Sequence, residues 1–346
     1  MHTSPDPTEP TFKRALEQAL SKRALLIEKL QSEGTNAYRL LNGVSEGLPG
    51  VTIDRYGPLI LLQTFREPFA QAELLSEIEE TLRRLLPYPF VFAYNHRGKS
   101  ATQSFDEWHR PLPEALAELQ CQEFGVSFLI RARHHGIDPW LFLDLRAGRR
   151  VLREAVKEKS VLNLFSYTCS VGISAVAAGA SEVWNIDFAS SSLEVGRRNA
   201  ALNKIPENRF HTIEEDCLPA MRQLAGLPVG GRFSQKKKFL KLEAREFDVV
   251  VLDPPAWSKS SFGAVDVAGD YPTLFKSAIL CAKPSGGRVL ATNHIASVQL
   301  EDWIEVLKRC ALKAGRPIRS LQVIAPEEDF PSFDRKHPLK IVLCEV

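Results

Sequence analysis

The sequence predicts an α/β fold in which helices cover both faces of a mostly parallel β-sheet, preceded by a smaller α+β domain. From residue 139 onward, short buried-strand patterns alternate with amphipathic helical patterns, which is typical of a parallel sheet. The chain has 346 residues, enough for two domains. Its 44% hydrophobic and 25% charged residues are ordinary for a globular protein.

The first 35 residues predict a flexible tail followed by a basic helix. Residues 1–11 are polar and proline-bearing, so we expect no regular structure there. Between residues 12 and 30, apolar positions recur at helical spacing, with lysines and arginines between them. The basic residues favour either an ordinary solvated helix face or an arm that contacts RNA, and the pattern does not separate the two.

Residues 36–135 predict a small α+β domain, which we expect to bind RNA. Residues 51–57 and 59–64 alternate like two strands of a hairpin around the turn Gly57-Pro58. The pattern continues with a helix at 70–86 and strands at 90–94 and 124–130.

Residues 136–346 carry the strand–helix alternation. The predicted strands are 160–165, 182–187, 210–213, 247–252, 287–292 and 339–345. The predicted helices are 146–157, 170–179, 190–203, 217–224, 271–282 and 300–314. Residues 228–246 interrupt the pattern and predict an insertion before the fourth strand.

Composition excludes several classes of protein. The formal net charge is +2, so any affinity for nucleic acid has to come from local basic patches. The six cysteines are scattered without the spacing of a zinc site or a disulfide framework, which favours a reducing, cytoplasmic environment and no metal. No apolar run reaches the roughly 18 residues of a membrane span, and the first residues lack the apolar core of a signal peptide.

The most informative motif is Asp253-Pro-Pro-Ala-Trp257, called the lip below, which follows the buried-strand run 247–252. Its two prolines fix the backbone and remove two N–H donors, so carbonyl groups and the Asp253 carboxylate are left as acceptors. Such an edge suits an exocyclic amine or a planar base, with Trp257 as a stacking surface. Trp257 can equally cap the core beneath the loop.

Three acids follow successive predicted strands, namely Asp187, Asp216 and Asp253. In a nucleotide-binding α/β sheet, the acid that ends the second strand accepts hydrogen bonds from ribose hydroxyls, and Asp187 is placed for that role. An acid after the third strand, here Asp216, can hold an adenine amino group. With no Walker lysine and no paired G-x-G-x-x-G motif, the set favours an adenosyl cofactor. Singly, each acid can also be a helix N-cap or a surface residue.

At these positions the chain resembles the class I S-adenosylmethionine (SAM) methyltransferases. More narrowly, it resembles the bacterial large-subunit (23S) rRNA base methyltransferases, which have cytosine-C5 and guanine-N7 members. The matching stretches are Phe142–Arg146, Val161–Thr168, Asp187, Arg198–Asn203, Glu215-Asp216, the lip, and Gly47–Arg55 in the small domain. The resemblance covers residues 40–346 and implies a Rossmann-like domain whose sheet is of the mostly parallel, seven-stranded type.

The resemblance also implies a role for each site residue. Arg146 would contact the charged methionine end of SAM or fix the adjoining loop; its alternative is a surface ion pair. Phe165, Ser166 and Tyr167 would form the loop beneath the methionine moiety. The ribose would bind Asp187 and the adenine amine Asp216, while Asp253 and Pro254 would form the edge where the methyl group is transferred.

The chain departs from the family in two places. Cys169 stands where relatives usually have glycine, which bears on SAM affinity; we expect its side chain to point away. Asn293 and His294 occupy the positions where the C5 enzymes carry the cysteine that attacks the ring. The sequence therefore favours a ring nitrogen such as guanine N7, for which positioning alone can suffice. We expect Asp253, Pro254 and Asn293 to be catalytic.

The target base has to be unpaired or flipped out of its stack to reach the methyl group. Trp257 and Tyr271 are candidate stacking surfaces, and His294 is either a base contact or a core histidine. Candidate phosphate contacts are Lys259, Lys236, Lys237, Lys238, Arg97 and Lys99. A charge run such as 236–241 is more often a solvated loop.

The sequence leaves two other functions open. One is a methyltransferase acting on a protein amide or a small molecule, although the Ala256 spacer before Trp257 argues against an amide. The other is a non-catalytic RNA-binding or ribosome-assembly module, which Cys169 leaves open. The oligomeric state does not follow from the sequence.

Overall fold

The computed structural model describes residues 9–69, 72–97, 117–132, 138–229, 239–255, 257–260, 263–334 and 336–346. The chain forms two compact units. The first comprises Met1–Asp144 and Glu327–Lys336, and the second comprises Leu145–Pro326 and His337–Val346. The division thus falls between Asp144 and Leu145, rather than between residues 135 and 136. It also assigns the segment 327–336, here called the clasp segment, to the first unit, which the sequence did not indicate.

The first unit is built on a four-stranded sheet in the order β1-β2-β3-β4. Neighbouring strands are antiparallel except β3 and β4, which are parallel and joined through helix α2. The predicted hairpin of β2 and β3 is confirmed. Its turn requires glycine, because a Cβ at Gly57 would lie 2.4 Å from the carbonyl oxygen of Gln120. The elements are α1 (Glu9–Ser32), β1 (Ala37–Asn42), β2 (Val51–Tyr56), β3 (Leu59–Thr64), α2 (Ala72–Leu85), β4 (Val91–His96), β5 (Leu119–Glu123) and β6 (Val126–Ile130).

Helix α1 packs its apolar face into the core of the first unit. Phe12, Leu16 and Leu30 are buried against residues of β1 to β3 and α2. The basic residues Lys13 and Lys22 lie on the opposite, exposed face. An amphipathic helix needs an apolar surface to cover its stripe, and here the sheet supplies it. The helix is therefore part of the first unit, and its exposed face fits both interpretations of its charge.

The clasp segment is held in the first unit by buried polar contacts. Asp329 accepts hydrogen bonds from the Arg39 backbone N–H at 2.9 Å through its carboxylate and from the Arg23 guanidinium at 3.2 Å through its carbonyl oxygen. Arg39 in turn makes a two-pronged ion pair with the buried Asp54, at 2.8 and 3.1 Å. Asp54 belongs to the Gly47–Arg55 signature, so this part of the signature has a structural role in the present chain.

The second unit confirms the predicted α/β architecture, with a seven-stranded sheet in the order β14-β15-β13-β10-β7-β8-β9. Strand β15 runs antiparallel to both neighbours, and the other pairs are parallel. The strands are β7 (Ser160–Leu164), β8 (Glu182–Asp187), β9 (Phe210–Glu214), β10 (Val249–Leu252), β11 (Trp257–Ser260), β12 (Gly263–Asp266), β13 (Arg288–Asn293), β14 (Ser320–Ile324) and β15 (Lys340–Glu345). The helices are α3 (Arg146–Ala155), α4 (Ser170–Ala177), α5 (Ser190–Leu202), α6 (Cys217–Leu224), α7 (Val267–Cys281) and α8 (Leu300–Lys313).

The strand order reverses between β7 and β10. From β7 the chain adds β8 and β9 on one side, and it then adds β10 and β13 on the other. Such a switch point opens a crevice at the carboxyl ends of the strands, because the two connections leave in opposite directions. The crevice is therefore bordered by the residues that follow β7, β8, β10 and β13.

Candidate active site

The loop after β7 is strained along its backbone. Phe165, Tyr167 and Cys169 have φ angles of 57°, 48° and 60°, in the left-handed region that costs an ordinary residue about 1–2 kcal/mol. Surrounding hydrogen bonds hold the loop in this shape. The Tyr167 N–H donates to Asp187 at 2.8 Å, and the Cys169 N–H donates to the Ser166 carbonyl at 2.7 Å. Such strain persists only where neighbours impose it, and it is typical of functional loops.

Asp187 ends β8 and turns its carboxylate toward this loop. One oxygen accepts the Tyr167 N–H, and the other accepts the Ala189 N–H at 2.9 Å. Burial raises the pKa of Asp187, and the charge of Asp216 adds to this, while the backbone N–H groups offset it only in part. Each carboxylate oxygen can accept a further bond, so the side chain suits ribose hydroxyls. The next residue, Phe188, leaves 43% of its surface exposed and was missed from the sequence.

Asp216 is the N-cap of α6. Its Oδ1 accepts the Leu218 N–H at 2.8 Å, which satisfies one of the unpaired donors of the first turn. The preceding Glu215 accepts the N–H groups of Asp216 at 2.8 Å and of Leu240 at 2.6 Å. Asp216 thus has the capping role that a single acid allows, and its charge contributes to raising the pKa of Asp187.

The side chain of Cys169 points into the protein. It is buried, and burial raises the pKa of its thiol to about 12. A Cβ at Gly196 in α5 would lie 2.5 Å from the Cys169 sulfur, so the missing side chain at 196 makes room for it. Gly172, the nearby glycine of α4, serves a different neighbour: its Cβ would lie 2.1 Å from Oδ1 of the buried Asn185.

At the lip, Asp253 is held by two side chains from the end of β13. Its Oδ1 accepts a bond from His294 Nε2 at 2.9 Å and another from the Thr292 hydroxyl. Burial raises the pKa of Asp253, but these bonds and the charges of His294 and Arg149 outweigh it and lower the pKa below its usual value. The carboxylate is therefore ionised. Pro254 is buried beside it, and Pro255 is exposed.

Asn293, which the sequence predicts to be catalytic, binds the turn after β13 instead of Asp253. It is 2% exposed, and its Oδ1 accepts the Ile295 N–H at 2.9 Å, which closes the turn after β13. Side chains alternate across a strand, so Thr292 and Asn293 face opposite ways. His294, and not Asn293, contacts Asp253 among the described residues. This is a correction to the predicted catalytic set.

Helix α3 begins with two buried arginines. Arg146 and Arg149 are both fully buried, which rules out a surface ion pair for Arg146. Buried cations need charged or polar partners, and the charge of Arg149 acts on Asp253. Arg149 was missed from the sequence; its spacing of three residues from Arg146 puts both on one side of the helix and is the available signal.

The residues predicted to contact RNA differ in where they lie: one is in the core, and two are in the strand after the lip. Tyr271 is 3% exposed, packs edge-to-face on Trp303 at 5.5 Å and donates its hydroxyl to the Thr292 carbonyl at 2.7 Å. Its ring belongs to the core, so the prediction that Tyr271 stacks on the target base is wrong. Trp257 and Lys259 lie in β11, which pairs with β12 directly after the lip.

Arg97 is half-buried in the first unit. It pairs with Asp138, and its guanidinium lies 5.6 Å from the centre of the Phe65 ring, which is 42% exposed. Four predicted phosphate contacts lie outside the described residues: Lys236, Lys237, Lys238 and Lys99.

The part of the chain that the structure describes contains no helix long and apolar enough to cross a membrane. It also contains no group of three or more histidine, cysteine, aspartate or glutamate residues arranged to hold a metal ion.

Comparison with known proteins identifies a family for most of the chain. Residues 39–344 match the family described as S-adenosylmethionine-dependent methyltransferase. A curated relative, ribosomal RNA large subunit methyltransferase I of Shigella flexneri serotype 5b (strain 8401), is 28% identical over 92% of this chain and 76% of its own length.

Solved structures share the fold. A protein described as a methyltransferase, determined in complex with SAH, is 20% identical with a TM-score of 0.78, covering 99% of this chain and 83% of its own. A Streptococcus mutans protein assigned as a SAM-dependent methyltransferase is 21% identical with a TM-score of 0.77, at the same coverage of 99% and 83%.

Proposed function

We propose that this chain, which belongs to the S-adenosylmethionine-dependent methyltransferases, transfers a methyl group from SAM to a base of large-subunit ribosomal RNA. The observation that supports the proposal most is the pairing of two held carboxylates, Asp187 after β8 and Asp253 after β10, on opposite sides of the switch point. The likeness to a large-subunit rRNA methyltransferase over 92% of the chain supports the choice of RNA.

The residues after β7 and β8 fit the cofactor. Asp187 suits the ribose hydroxyls, and the exposed ring of Phe188 suits the adenine face. We assign the adenine amine to Asp216 and the loop beneath the methionine moiety to Phe165, Ser166 and Tyr167. The buried cation Arg146 suits the methionine carboxylate. When bound, SAM supplies an electrophilic methyl group on a sulfonium.

The acceptor is a ring nitrogen rather than cytosine C5. Methylation at C5 requires a thiolate that adds to the ring, and Asn293 and His294 occupy the family position for it. The six cysteines are all buried. Cys281, the nearest in sequence before β13, donates to the Met221 carbonyl at 3.4 Å, and burial raises the pKa of its thiol to about 12. A buried, protonated thiol is a poor nucleophile.

We assign contacts with RNA to basic and aromatic side chains. Trp257 and Lys259 follow the lip and are our candidates for the target base and its phosphate. Arg97 of the first unit, beside the exposed ring of Phe65, offers a cation and a stacking face. The lysines at 236–238 and Lys99 stay proposals from the sequence.

The direct test is methyl transfer in vitro. Purified protein is incubated with SAM labelled in its methyl group and with protein-free large-subunit RNA, with small-subunit RNA as the matched control. The proposal predicts label in the large-subunit RNA alone. Label in protein and not in RNA would favour the amide alternative. Failure to bind SAM at millimolar concentration, measured by calorimetry, would favour the non-catalytic module.

A further inference from the structure

Part of the insertion before β10 is tied along helix α6. Residues 239–242, here called the strap, have no regular secondary structure. The Leu240 N–H donates to the carboxylate of Glu215 at 2.6 Å, and the Leu240 carbonyl accepts a bond from the Gln223 side chain at 2.9 Å. Gln223 also accepts the Leu242 N–H at 3.0 Å. The strap is therefore held at Leu240 through both backbone polar groups of that residue.

The side chain of Leu240 is left facing water, with 51% of its surface exposed. A single exposed leucine is ordinary on a protein surface. Leu240 differs because its backbone is fixed, which costs conformational entropy, while its side chain gains little burial in return. One of the bonds that fix it goes to the buried carboxylate of Glu215. An apolar side chain held in place in this way is preorganised for an apolar ligand face.

Glu215 links Leu240 to the adenine end of the proposed cofactor site. The Glu215 N–H donates to the Asp187 carbonyl at 3.1 Å, and the Glu215 carboxylate accepts the N–H groups of Asp216 and Leu240. Phe188, which is 43% exposed, directly follows Asp187. Two exposed apolar side chains, those of Phe188 and Leu240, are thus anchored at the corner where β8 and β9 end.

Building on the proposed function, which puts adenine against Phe188, we propose that Leu240 is the second apolar wall of the adenine site. Adenine is planar, with two apolar faces and a polar edge, so it suits a slot that has an apolar side chain on each face. Phe188 covers one face and Leu240 the other. Glu215 and Gln223 are positioning residues that act through Leu240. The insertion thereby contributes to cofactor binding.

The test is calorimetric titration with two ligands that do not donate a methyl group. S-adenosylhomocysteine contains adenine, ribose and an amino acid, and 5′-methylthioadenosine lacks the amino-acid portion. Leu240→Ala should raise the dissociation constants of both ligands by about 10-fold, because both carry adenine. Leu240→Met, which conserves volume, should restore affinity. Leu312→Ala, the same exchange at a 71% exposed position of α8, is the matched control and should bind both ligands as the wild type does.

A double-mutant cycle tests the strap without relying on Leu240→Ala alone. Gln223→Ala removes two bonds to the strap and leaves the side chain of Leu240 unchanged. It should raise both dissociation constants in the wild-type background and change them little in the Leu240→Ala background, where the wall is already missing. Equal changes in the two backgrounds would show that Gln223 does not act through Leu240. Urea denaturation checks that each variant is folded.

The outcomes separate this inference from the proposed function. Wild-type affinity for both ligands in folded Leu240→Ala overturns the inference and leaves the proposed function standing. Weaker binding of S-adenosylhomocysteine alone also overturns it, because Leu240 would then contact the amino-acid portion. Weaker binding of RNA with both ligands unaffected would assign Leu240 to RNA instead. If the wild-type protein binds neither ligand, the proposed function fails as well.

Discussion

Gly196 in α5 leaves the space that the side chain of Cys169 fills. A Cβ at position 196 would lie 2.5 Å from the sulfur of Cys169 and 3.0 Å from its Cβ. Cys169 itself is in the left-handed conformation, with φ at 60°, that usually favours glycine. Cys169, which stands where the resemblance leads us to expect glycine, is therefore accommodated on the inner side of the loop by the glycine opposite.

Gly196→Ala should destabilise the protein by about 1–3 kcal/mol, because the new methyl group overpacks the Cys169 side chain. In a Cys169→Gly background the same substitution should cost less, since the sulfur is gone. Urea denaturation of the four proteins in the cycle measures the coupling. Gly269→Ala is the matched control, because this exposed helical glycine of α7 has open space around it. An equal cost of Gly196→Ala in both backgrounds would show that the contact is not the cause.

Asp187→Asn should weaken SAM binding by about 10-fold or more. An amide has one oxygen where the carboxylate has two, so it cannot accept the Tyr167 and Ala189 N–H groups in the same way and still bind two ribose hydroxyls. Calorimetric titration with SAM measures the change. Glu194→Gln, on the exposed face of α5, is the control and should bind SAM as the wild type does. Wild-type affinity in Asp187→Asn would remove Asp187 from the cofactor site.

Asp253→Ala should abolish turnover and leave the fold intact. The variant removes the carboxylate that orients His294, while its strand β10 keeps its apolar core contacts. Labelled-methyl transfer measures turnover, and circular dichroism checks the fold. Asp248→Asn is the matched control, because Asp248 precedes the amino end of the same strand and binds Ser160 and Lys283 instead. Undiminished turnover in Asp253→Ala would refute the lip as the site of methyl transfer.

Asp248 should make stability depend on pH in acid. Burial raises the pKa of Asp248, but the bonds from Lys283 and Ser160 outweigh it, so the folded pKa is below the ordinary 3.8. A lowered folded pKa contributes stability that is present above 3.8 and is lost as the pH falls through the folded value. We therefore expect Asp248→Asn to lower the melting temperature near neutral pH, with the difference shrinking as the pH falls below the folded pKa. A difference that grows on acidification would contradict the assignment.

The mostly parallel character of the sheet in the second unit could be predicted because buried parallel strands are continuous apolar runs. The edge strand β14 could not be predicted, because three of its five residues are exposed and the strand does not form a continuous apolar run. The clasp segment could not be predicted either. Asp329 holds it through hydrogen bonds from the Arg39 backbone N–H and the Arg23 side chain, which lie 290 and 306 residues earlier in the chain.

In the site, too, the residues that end buried strands could be predicted, and those placed by side-chain packing could not. Asp187 and Asp253 were found because they end buried strands, and a parallel sheet brings such ends together. The choice between Asn293 and His294 depended on which side chain turns toward the lip at the last residues of β13, which spacing alone does not decide. Tyr271 lies on the buried face of its helix, which the helical pattern alone does not identify. Arg149 and Thr292 act on Asp253 through the packing of α3 and β13.

We propose that this SAM-dependent enzyme methylates a nitrogen of a large-subunit rRNA base. The most direct measurement is mass spectrometry of the nucleosides of large-subunit RNA from cells with and without the gene. We expect the loss of one nucleoside methylated at nitrogen. Loss of 5-methylcytidine, or no difference in any nucleoside of that RNA, would contradict it.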